Sequence, residues 1–182
     1  MTKQAAPPER AGQSNAPEGS VRSHTLVVFA NDRHGALDRI VGVLRRRRAK
    51  LQTFAIGRSE LPNVVRITVV MDDSEVGVEQ LVEQLRKVVD VRHIFNSLSE
   101  QAVTRELALI KVNSTASHHG EIIELGHLFG AHVIDVTEET VTLEVTGSRE
   151  KVEKLVDLLQ SYGIREIART GCVAMTRGAA DM

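Results

Sequence analysis

Apolar positions along the chain follow one order twice: a short apolar strand, a helix, two strands around a turn, a second helix and a closing strand. In the first half, residues 26–29 have the continuous apolar pattern of a short buried strand. Four apolar residues then recur at the i, i+3, i+4, i+7 spacing of one helical face: Leu37, Ile40, Val41 and Leu44. The pattern predicts two repeats of a βαββαβ unit.

The rest of the first unit is predicted from β-branched runs and a helix cap. Residues 51–58 and 64–71 favour strands, and Pro62 and Asn63 favour a turn between them. Ser74 is a candidate N-cap for the second helix. The apolar positions of that helix keep helical spacing: Val78, Leu81, Val82, Leu85, Val88 and Val89. Residues 91–98 then close the unit as a strand.

The second unit begins with a strand at residues 107–112 and continues with a helix. That helix directs four apolar residues toward one face: Ile122, Leu125, Leu128 and Phe129. Residues 133–136 and 141–145 predict a hairpin, and the alternation of apolar and polar residues in its second strand predicts a sheet with one wet face. Ser148 is a candidate cap for the last helix, and residues 164–169 predict the closing strand.

Each unit therefore predicts a four-stranded antiparallel sheet with two helices on one face. The fold class is α+β, with two ferredoxin-like βαββαβ domains at residues 24–98 and 105–178. Residues 99–104 are the expected linker. Residues 1–23 contain three of the four prolines and no periodic apolar pattern, so we expect a disordered tail there. A short second tail is expected at residues 179–182.

Charge and composition exclude several classes of function. The chain has 23 Lys and Arg residues against 24 Asp and Glu residues, which argues against bulk attraction to nucleic acid. Aromatic residues make up only 3% of the chain, so the stacking aromatics of an RNA-binding sheet are not expected. The sequence has no apolar run near 20 residues and no charged-then-apolar leader at Met1. We therefore expect a cytoplasmic protein that contacts neither nucleic acid nor membrane.

One loop has the form of an anion-binding site. A glycine at a strand-to-helix junction places free backbone N–H groups at the positive end of a helix, where a carboxylate or phosphate can be held. Residues 31–37 have this form, with Gly35 at the junction. In the alternative interpretation, Gly35 only fits a tight turn. Asp32 is then an ordinary helix-start residue rather than a partner for an ammonium group.

A run of four arginines, residues 45–48, is followed closely by Lys50. We refer to residues 45–48 as the arginine run. It is suited to contact phosphates or an acidic partner surface. The alternative is a solvated helix end, because cations also suit a helix C-terminus.

Histidines and glutamates cluster on the first helix of the second unit: His118, His119, Glu121, Glu124 and His127. Their order does not match H-E-x-x-H, in which two imidazoles share one helical face, so a polar surface helix is favoured over a metal site. Cys172 has no identifiable histidine partner, and a packed thiol is favoured over a nucleophile. We predict no catalytic residue and no metal ligand in this chain.

Several segments in a fixed order carry a family resemblance. In the second unit they are RELALIKV (residues 105–112), FGAHVIDV (residues 129–136) and IARTGCVAMTRG (residues 167–178). In the first unit, the helix start at residues 35–39 and the segment at residues 86–91 stand in the order of an ACT domain. Together these segments resemble the regulatory small subunit of acetolactate synthase, also called acetohydroxyacid synthase.

The resemblance implies a regulatory subunit that is not an enzyme by itself. The implied partner is the catalytic large subunit, a transferase expected to hold thiamine diphosphate, FAD and Mg, and no cofactor is expected on this chain. No G-D-G motif for thiamine diphosphate occurs here, consistent with that division. The resemblance also implies a homodimer through the ACT domains, activation of the partner, and feedback control by valine, leucine or isoleucine, usually valine.

In that family the effector lies between two ACT units, against the loop after the first strand. Carried over to this chain, the resemblance implies these effector-binding residues: Asn31, Asp32, Gly35, Ala36, Leu37, Lys50 and Leu51. Two positions depart from the family pattern, because Lys50 replaces an expected asparagine and Asp32 stands where asparagine is usual, unless a loop shift puts Asn31 there. Lysine cannot accept a hydrogen bond, so we expect effector sensitivity to be weakened, lost or redirected while dimerisation and activation persist.

Three other functions are considered. The first is an ACT-type amino-acid sensor for another enzyme or for a transcription system, although the second-unit segments weigh against it. The second is a nucleic-acid module that uses the arginine run. The third is an independent enzyme with a metal at His118 and His119.

Overall fold

The computed structural model describes residues 22–48, 50–98 and 102–176. Its first unit contains β1 (Arg22–Asn31), α1 (Ala36–Arg46), β2 (Lys50–Arg58), β3 (Val64–Asp73), α2 (Glu75–Arg86) and β4 (Val91–Leu98). The second contains β5 (Ala102–Asn113), α3 (His119–Leu128), β6 (His132–Val136), β7 (Thr140–Gly147), α4 (Arg149–Leu159), a short 3-10 turn (Gln160–Tyr162), β8 (Ile164–Arg169) and β9 (Val173–Thr176). The two expected tails lie outside the described residues, except that Arg22 and Ser23 belong to β1.

The two sheets have the same strand order. The first runs β2-β3-β1-β4 and the second β6-β7-β5-β8, with antiparallel neighbours throughout. In each unit the helices pack on one face of the sheet, so the expected α+β class with two ferredoxin-like βαββαβ units is confirmed. None of the helices in the described ranges combines the length and the apolar character needed to cross a bilayer.

Both predicted serine caps are confirmed. The Ser74 hydroxyl accepts a hydrogen bond from the Gly77 N–H at 3.2 Å, and α2 follows it. The Ser148 hydroxyl accepts from the Lys151 N–H at 3.4 Å at the start of α4. Each cap satisfies one of the N–H groups that have no partner within the first turn of a helix.

The core of each unit follows the predicted periodicity, with two corrections. Val89 is 78% exposed because α2 ends at Arg86, so Val89 lies beyond the helical face assigned to it. Leu128 is 77% exposed, although it was expected on the core face of α3. The residues that α3 buries are Ile122 and Gly126, and a Cβ added at Gly126 would lie 3.2 Å from the Leu143 side chain. Leu128 is about 200° further round the helix and points to solvent.

The expected linker is shorter than predicted. β5 begins at Ala102, inside the expected linker at residues 99–104, because β9 supplies a partner for its first residues. In this pairing Ala102 lies opposite Thr176, and Arg105 lies opposite Val173. β9 was not predicted from the sequence.

β9 covers the sheet face of the first unit that the helices leave open. Val27, Phe29 and Val64 on that face form a buried cluster with Ala174. The Arg66 guanidinium lies 4.9 Å from the centre of the Phe29 ring and donates to the Ala174 carbonyl oxygen at 2.5 Å. The C-terminal strand therefore completes a second core for the first unit and joins the two units.

Candidate effector site

The first turn of α1 is open to a ligand. Gly35 is its N-cap, with φ 76°, and provides no side-chain cap. The Ala36 N–H donates to the Arg33 carbonyl oxygen at 3.0 Å, whereas the N–H groups of Leu37 and Asp38 have no acceptor among the described residues. Two free N–H groups at the positive end of a helix form a place where a carboxylate can bind.

An ion pair between a half-exposed arginine and a buried carboxylate holds this loop against the sheet. Arg39 donates from Nε and one terminal nitrogen to one carboxylate oxygen of Asp90, at 2.8 and 2.6 Å. Asp90 is buried, and its carbonyl oxygen accepts from the Asn31 N–H at 2.8 Å. The sequence reasoning missed Arg39 and Asp90 because they are 51 residues apart and no motif links them.

Asn31 and Asp32 have different surroundings. The Asn31 side-chain oxygen accepts from Arg92 Nε at 2.6 Å, so Asn31 is already engaged. The backbone N–H of Asp32 donates to the Asn63 carbonyl oxygen at 2.9 Å, while its carboxylate is exposed and has no partner in the described part of the chain. Within the described residues, the Asp32 carboxylate is therefore free of protein contacts, whereas the Asn31 side chain is not.

The structure separates the predicted site residues into two groups. The loop group lies near the start of β3, since Asp32 bonds to Asn63. Lys50 begins β2 and lies opposite Asp72 at the far end of β3. The nine residues of β2 span about 26 Å, so Lys50 and Leu51 do not meet the loop within one protomer.

Exposed apolar side chains occupy one flank of the first unit: Leu37, Val41, Leu51 and Ile56, each 40–48% exposed. Ile40 and Leu44 of the predicted α1 stripe are buried, but Leu37 and Val41 are not, so the stripe is wider than the core needs. β2 is an edge strand, and within residues 22–48, 50–98 and 102–176 only β3 pairs with it. An apolar flank beside an unpaired strand edge is typical of a protein interface.

A cavity of about 400 Å³ adjoins the loop. Asp32 lines it together with Arg58 and the turn between β2 and β3. Its charged residues are two acids, Asp32 and Glu60, and one base, Arg58, so it offers partners to a ligand that carries both charges.

The other candidate residues form no reactive site. His118 Nδ1 is hydrogen-bonded to Thr115 Oγ1 at 3.1 Å, and His119 Nε2 donates to the Thr137 carbonyl oxygen at 2.8 Å. Among the residues that the structure describes, no three His, Cys, Asp or Glu side chains are placed to hold a metal. Cys172 is 2% exposed, as expected for a packed thiol, and burial raises its pKa.

A second buried ion pair lies near the contact between the units. Arg169 donates from Nε and a terminal nitrogen to the two Glu106 carboxylate oxygens, each at 2.8 Å, and also to Glu153 at 3.1 Å. These contacts raise the pKa of Arg169. Close by, the Cys172 N–H donates to the Thr53 hydroxyl of β2 at 3.3 Å.

The fold and the loop define a protein with an ACT domain followed by a second domain of the same topology. The family model described as "AHAS small subunit-like ACT domain" matches residues 26–93. The model described as "Small subunit of acetolactate synthase" matches residues 105–178.

The similar proteins match this chain over most of its length. An acetolactate synthase small subunit from Mycolicibacterium smegmatis is 42% identical over 156 residues, covering 86% of this chain and 92% of its own. A probable acetolactate synthase small subunit from Archaeoglobus fulgidus is 38% identical over 155 residues, which cover 85% of this chain and 97% of the relative. The crystal structure of the Thermotoga maritima acetolactate synthase small subunit superposes with TM-score 0.80 at 33% identity. The match covers 86% of this chain and 98% of the Thermotoga maritima chain. The chain belongs to the acetolactate synthase small-subunit family.

Proposed function

We propose that the chain is a regulatory subunit of acetolactate synthase that activates the catalytic large subunit and carries feedback control by a branched-chain amino acid. Its family membership supports the partner, and the open N-terminus of α1 supports a ligand with a carboxylate. The chemistry belongs to the catalytic subunit, where thiamine diphosphate, FAD and Mg are expected. This chain needs no cofactor for such a role.

The observation that carries the proposal is the split between the loop and Lys50. In a homodimer with antiparallel pairing of two β2 edges, a two-fold axis near the strand centre brings the start of one strand beside the end of the other. The partner's Lys50 then lies level with Arg58, which lines the cavity beside Asp32. The exposed flank, which includes Leu37 and Val41, supplies apolar surface for this contact.

The site then fits an aliphatic amino acid. The free N–H groups of Leu37 and Asp38 suit its carboxylate, the Asp32 carboxylate suits its ammonium group, and Leu37 with the partner's Leu51 suits an aliphatic side chain. A ligand bound at a dimer interface changes the activity of the catalytic partner only as far as its affinity differs between two dimer arrangements.

The same geometry favours altered sensitivity. Asp32 and Lys50 are exposed and of opposite charge, and the dimer brings each Asp32 toward the partner's Lys50. An ion pair between these two side chains competes with the ligand for both charges. The flexible Lys50 ammonium group also does not reproduce the hydrogen bonds of an asparagine amide. Valine therefore binds more weakly than at a site lined by neutral amides.

The first test is reconstitution. Acetolactate formation by the catalytic subunit of the same organism is measured with and without this chain, while valine, leucine and isoleucine are titrated. We expect activation, with inhibition that is weak or absent for valine. The absence of both association and activation would refute the proposed function and direct the search to another partner enzyme.

A variant pair tests the altered site. In Asp32→Asn/Lys50→Asn, we expect the valine concentration for half-inhibition to fall about tenfold, equivalent to about 1.4 kcal/mol. The matched control, Lys154→Asn/Asp157→Asn, removes the same two charges from the exposed face of α4 and should leave the titration unchanged. Equal titration curves for both variants would show that Asp32 and Lys50 do not govern the effector.

A further inference from the structure

The arginine run lies beside an open groove. A cavity of about 550 Å³ lies between α1 and the residues that follow α2. Its charged walls include Arg46 from the arginine run, Lys87 after α2, the paired Arg39 and one acid, Asp38. Its apolar part includes Val88 and Val89. We call the arginine run and Lys87, with this cavity, the basic groove.

The cations of the basic groove lack ion-pair partners. Among the described residues, no carboxylate lies within 4.0 Å of the arginine run or of Lys87. The nearby arginines are paired, Arg39 with Asp90 at 2.6 Å and Arg86 with Glu83 at 2.7 Å. In a chain of net charge -1, these unpaired cations are a local concentration rather than part of a general excess.

The chemistry of the groove points to an acidic protein surface. The groove adjoins the C-terminal end of α1, where backbone carbonyls rather than N–H groups are exposed, so a small anion would depend on flexible side chains alone. Arginine is weakly hydrated, forms paired hydrogen bonds with carboxylates and is enriched at interfaces. Val89, 78% exposed, adds an apolar contact that a nucleic-acid backbone would not use.

The groove is also free in the proposed dimer. Val41 belongs to the flank assigned to dimerisation, and Arg46 lies about 140° further round α1. The dimer contact and the basic groove therefore occupy different sides of the helix.

We infer that the basic groove is a docking surface for an acidic surface of the catalytic large subunit. This inference rests on the proposed function, because it takes the partner from there. Charges at the edge of an interface act mainly on the rate of association and its dependence on salt. The groove thus captures the partner and orients the ACT domain on it.

The test compares two variants of equal net charge in the full-length chain. Arg46→Glu/Lys87→Glu changes the groove, and Arg105→Glu/Lys154→Glu changes exposed positions on the second unit. Association with the catalytic subunit is measured by biolayer interferometry at about 0.05 and about 0.5 M salt. We expect the groove variant to associate about tenfold more slowly at low salt, with a smaller difference at high salt, and the control to stay within about twofold of the unmodified chain.

The outcomes separate the inference from the proposed function. Thermal melts and size-exclusion chromatography first establish that both variants fold and keep the oligomeric state. Equal rates for the groove variant and the control would overturn the docking surface while the unmodified chain still activates its partner. Failure of the unmodified chain to bind would overturn the proposed function instead. Salt-dependent binding of a single-stranded oligonucleotide, lost in the groove variant, would assign the groove to nucleic acid.

Discussion

The two units share a strand order but differ in what covers the open face of each sheet. In the first unit, Val27, Phe29 and Val64 on that face are at most 5% exposed because β9 lies over them. In the second unit the corresponding face carries polar side chains and half-buried leucines: Leu107, Leu109, Lys111, Thr142, Glu144 and Thr146. The same topology therefore forms a core on both faces of the sheet or on one face only, depending on which sheet the last strand covers.

Two helix starts, one in each unit, also differ. α1 begins at Gly35 and leaves two N–H groups free, whereas α4 begins at Ser148, whose hydroxyl accepts from Lys151. A cap that is supplied by the protein's own side chain closes the place where a ligand would bind. The first helix of the second unit, α3, also begins without a side-chain cap, at His118, so this contrast holds between α1 and α4.

The largest expected effect tests the covered face. Phe29→Ala should lower the free energy of unfolding by about 3–5 kcal/mol, because it empties a buried site under β9. Leu109→Ala, on the partly open face of the second unit, should cost about 1 kcal/mol. Urea denaturation measures both values. Equal losses would show that the two faces are equally buried in solution.

The next effect concerns Cys172, which immediately precedes β9 and, like Ala174, is 2% exposed. Only the thiolate reacts with iodoacetamide, and a raised pKa lowers its fraction. We expect alkylation at pH 8 to be at least about 100-fold slower in the folded chain than in denaturant, equivalent to about 2.7 kcal/mol of local opening. Met175→Cys in a Cys172→Ser background should react rapidly, because Met175 is 64% exposed on the outer side of β9. Similar rates for the two cysteines would contradict the cover.

The helix starts are compared by single substitutions. Gly35→Ala should cost about 1–2 kcal/mol, because its φ of 76° is unfavourable for a residue with a Cβ. Ser148→Ala should cost about 1 kcal/mol through loss of the cap. Only Gly35→Ala should also disturb amino-acid binding, as measured by calorimetry. A similar loss of binding in Ser148→Ala would remove the distinction between the two helix starts.

The smallest effect is the pH dependence at the start of α4. Hydrogen bonds from its own backbone N–H and from the Ser148 hydroxyl lower the pKa of Glu150. The stability that results is therefore present at pH values above the ordinary pKa of 4.5. It is lost as the pH falls through the lowered pKa of the folded chain. Glu150→Gln should flatten the stability curve in that range, as followed by thermal melts between pH 6 and 2. An unchanged slope would show that Glu150 contributes nothing to it.

The sequence predicted the elements well because each has a local cause. Ser74 and Ser148 sit immediately before apolar helical patterns, and both are caps. β9 was missed because four residues are too few for a period, and its partner residues at the start of β5 lie about 70 positions earlier in the chain. Periodicity also does not distinguish a core from an interface, so Leu37 was grouped with the buried Ile40 although it is 40% exposed.

The candidate site was predicted only where it is continuous in sequence. Residues 31–37 form the junction between β1 and α1: Asn31 ends the strand, residues 32–35 connect, and Ala36 and Leu37 begin the helix. The placement of Lys50 at the far end of β2, and the anchoring of the loop by Arg39 and Asp90, depend on strand pairing that no local pattern encodes. The hydrogen bond that engages the Asn31 side chain comes from Arg92, a residue 61 positions away, so it could not be predicted locally.

The late position of β9 has a consequence for synthesis of the chain. The ribosome completes the six elements of the first unit by Leu98, but Ala174 follows only after a further 76 residues, or about 4–15 s at about 5–20 residues per second. During that interval Val27 and Phe29 remain on an uncovered sheet face. Nascent and truncated chains thus present an apolar surface of the kind that chaperones and proteases recognise, whereas the finished chain hides it.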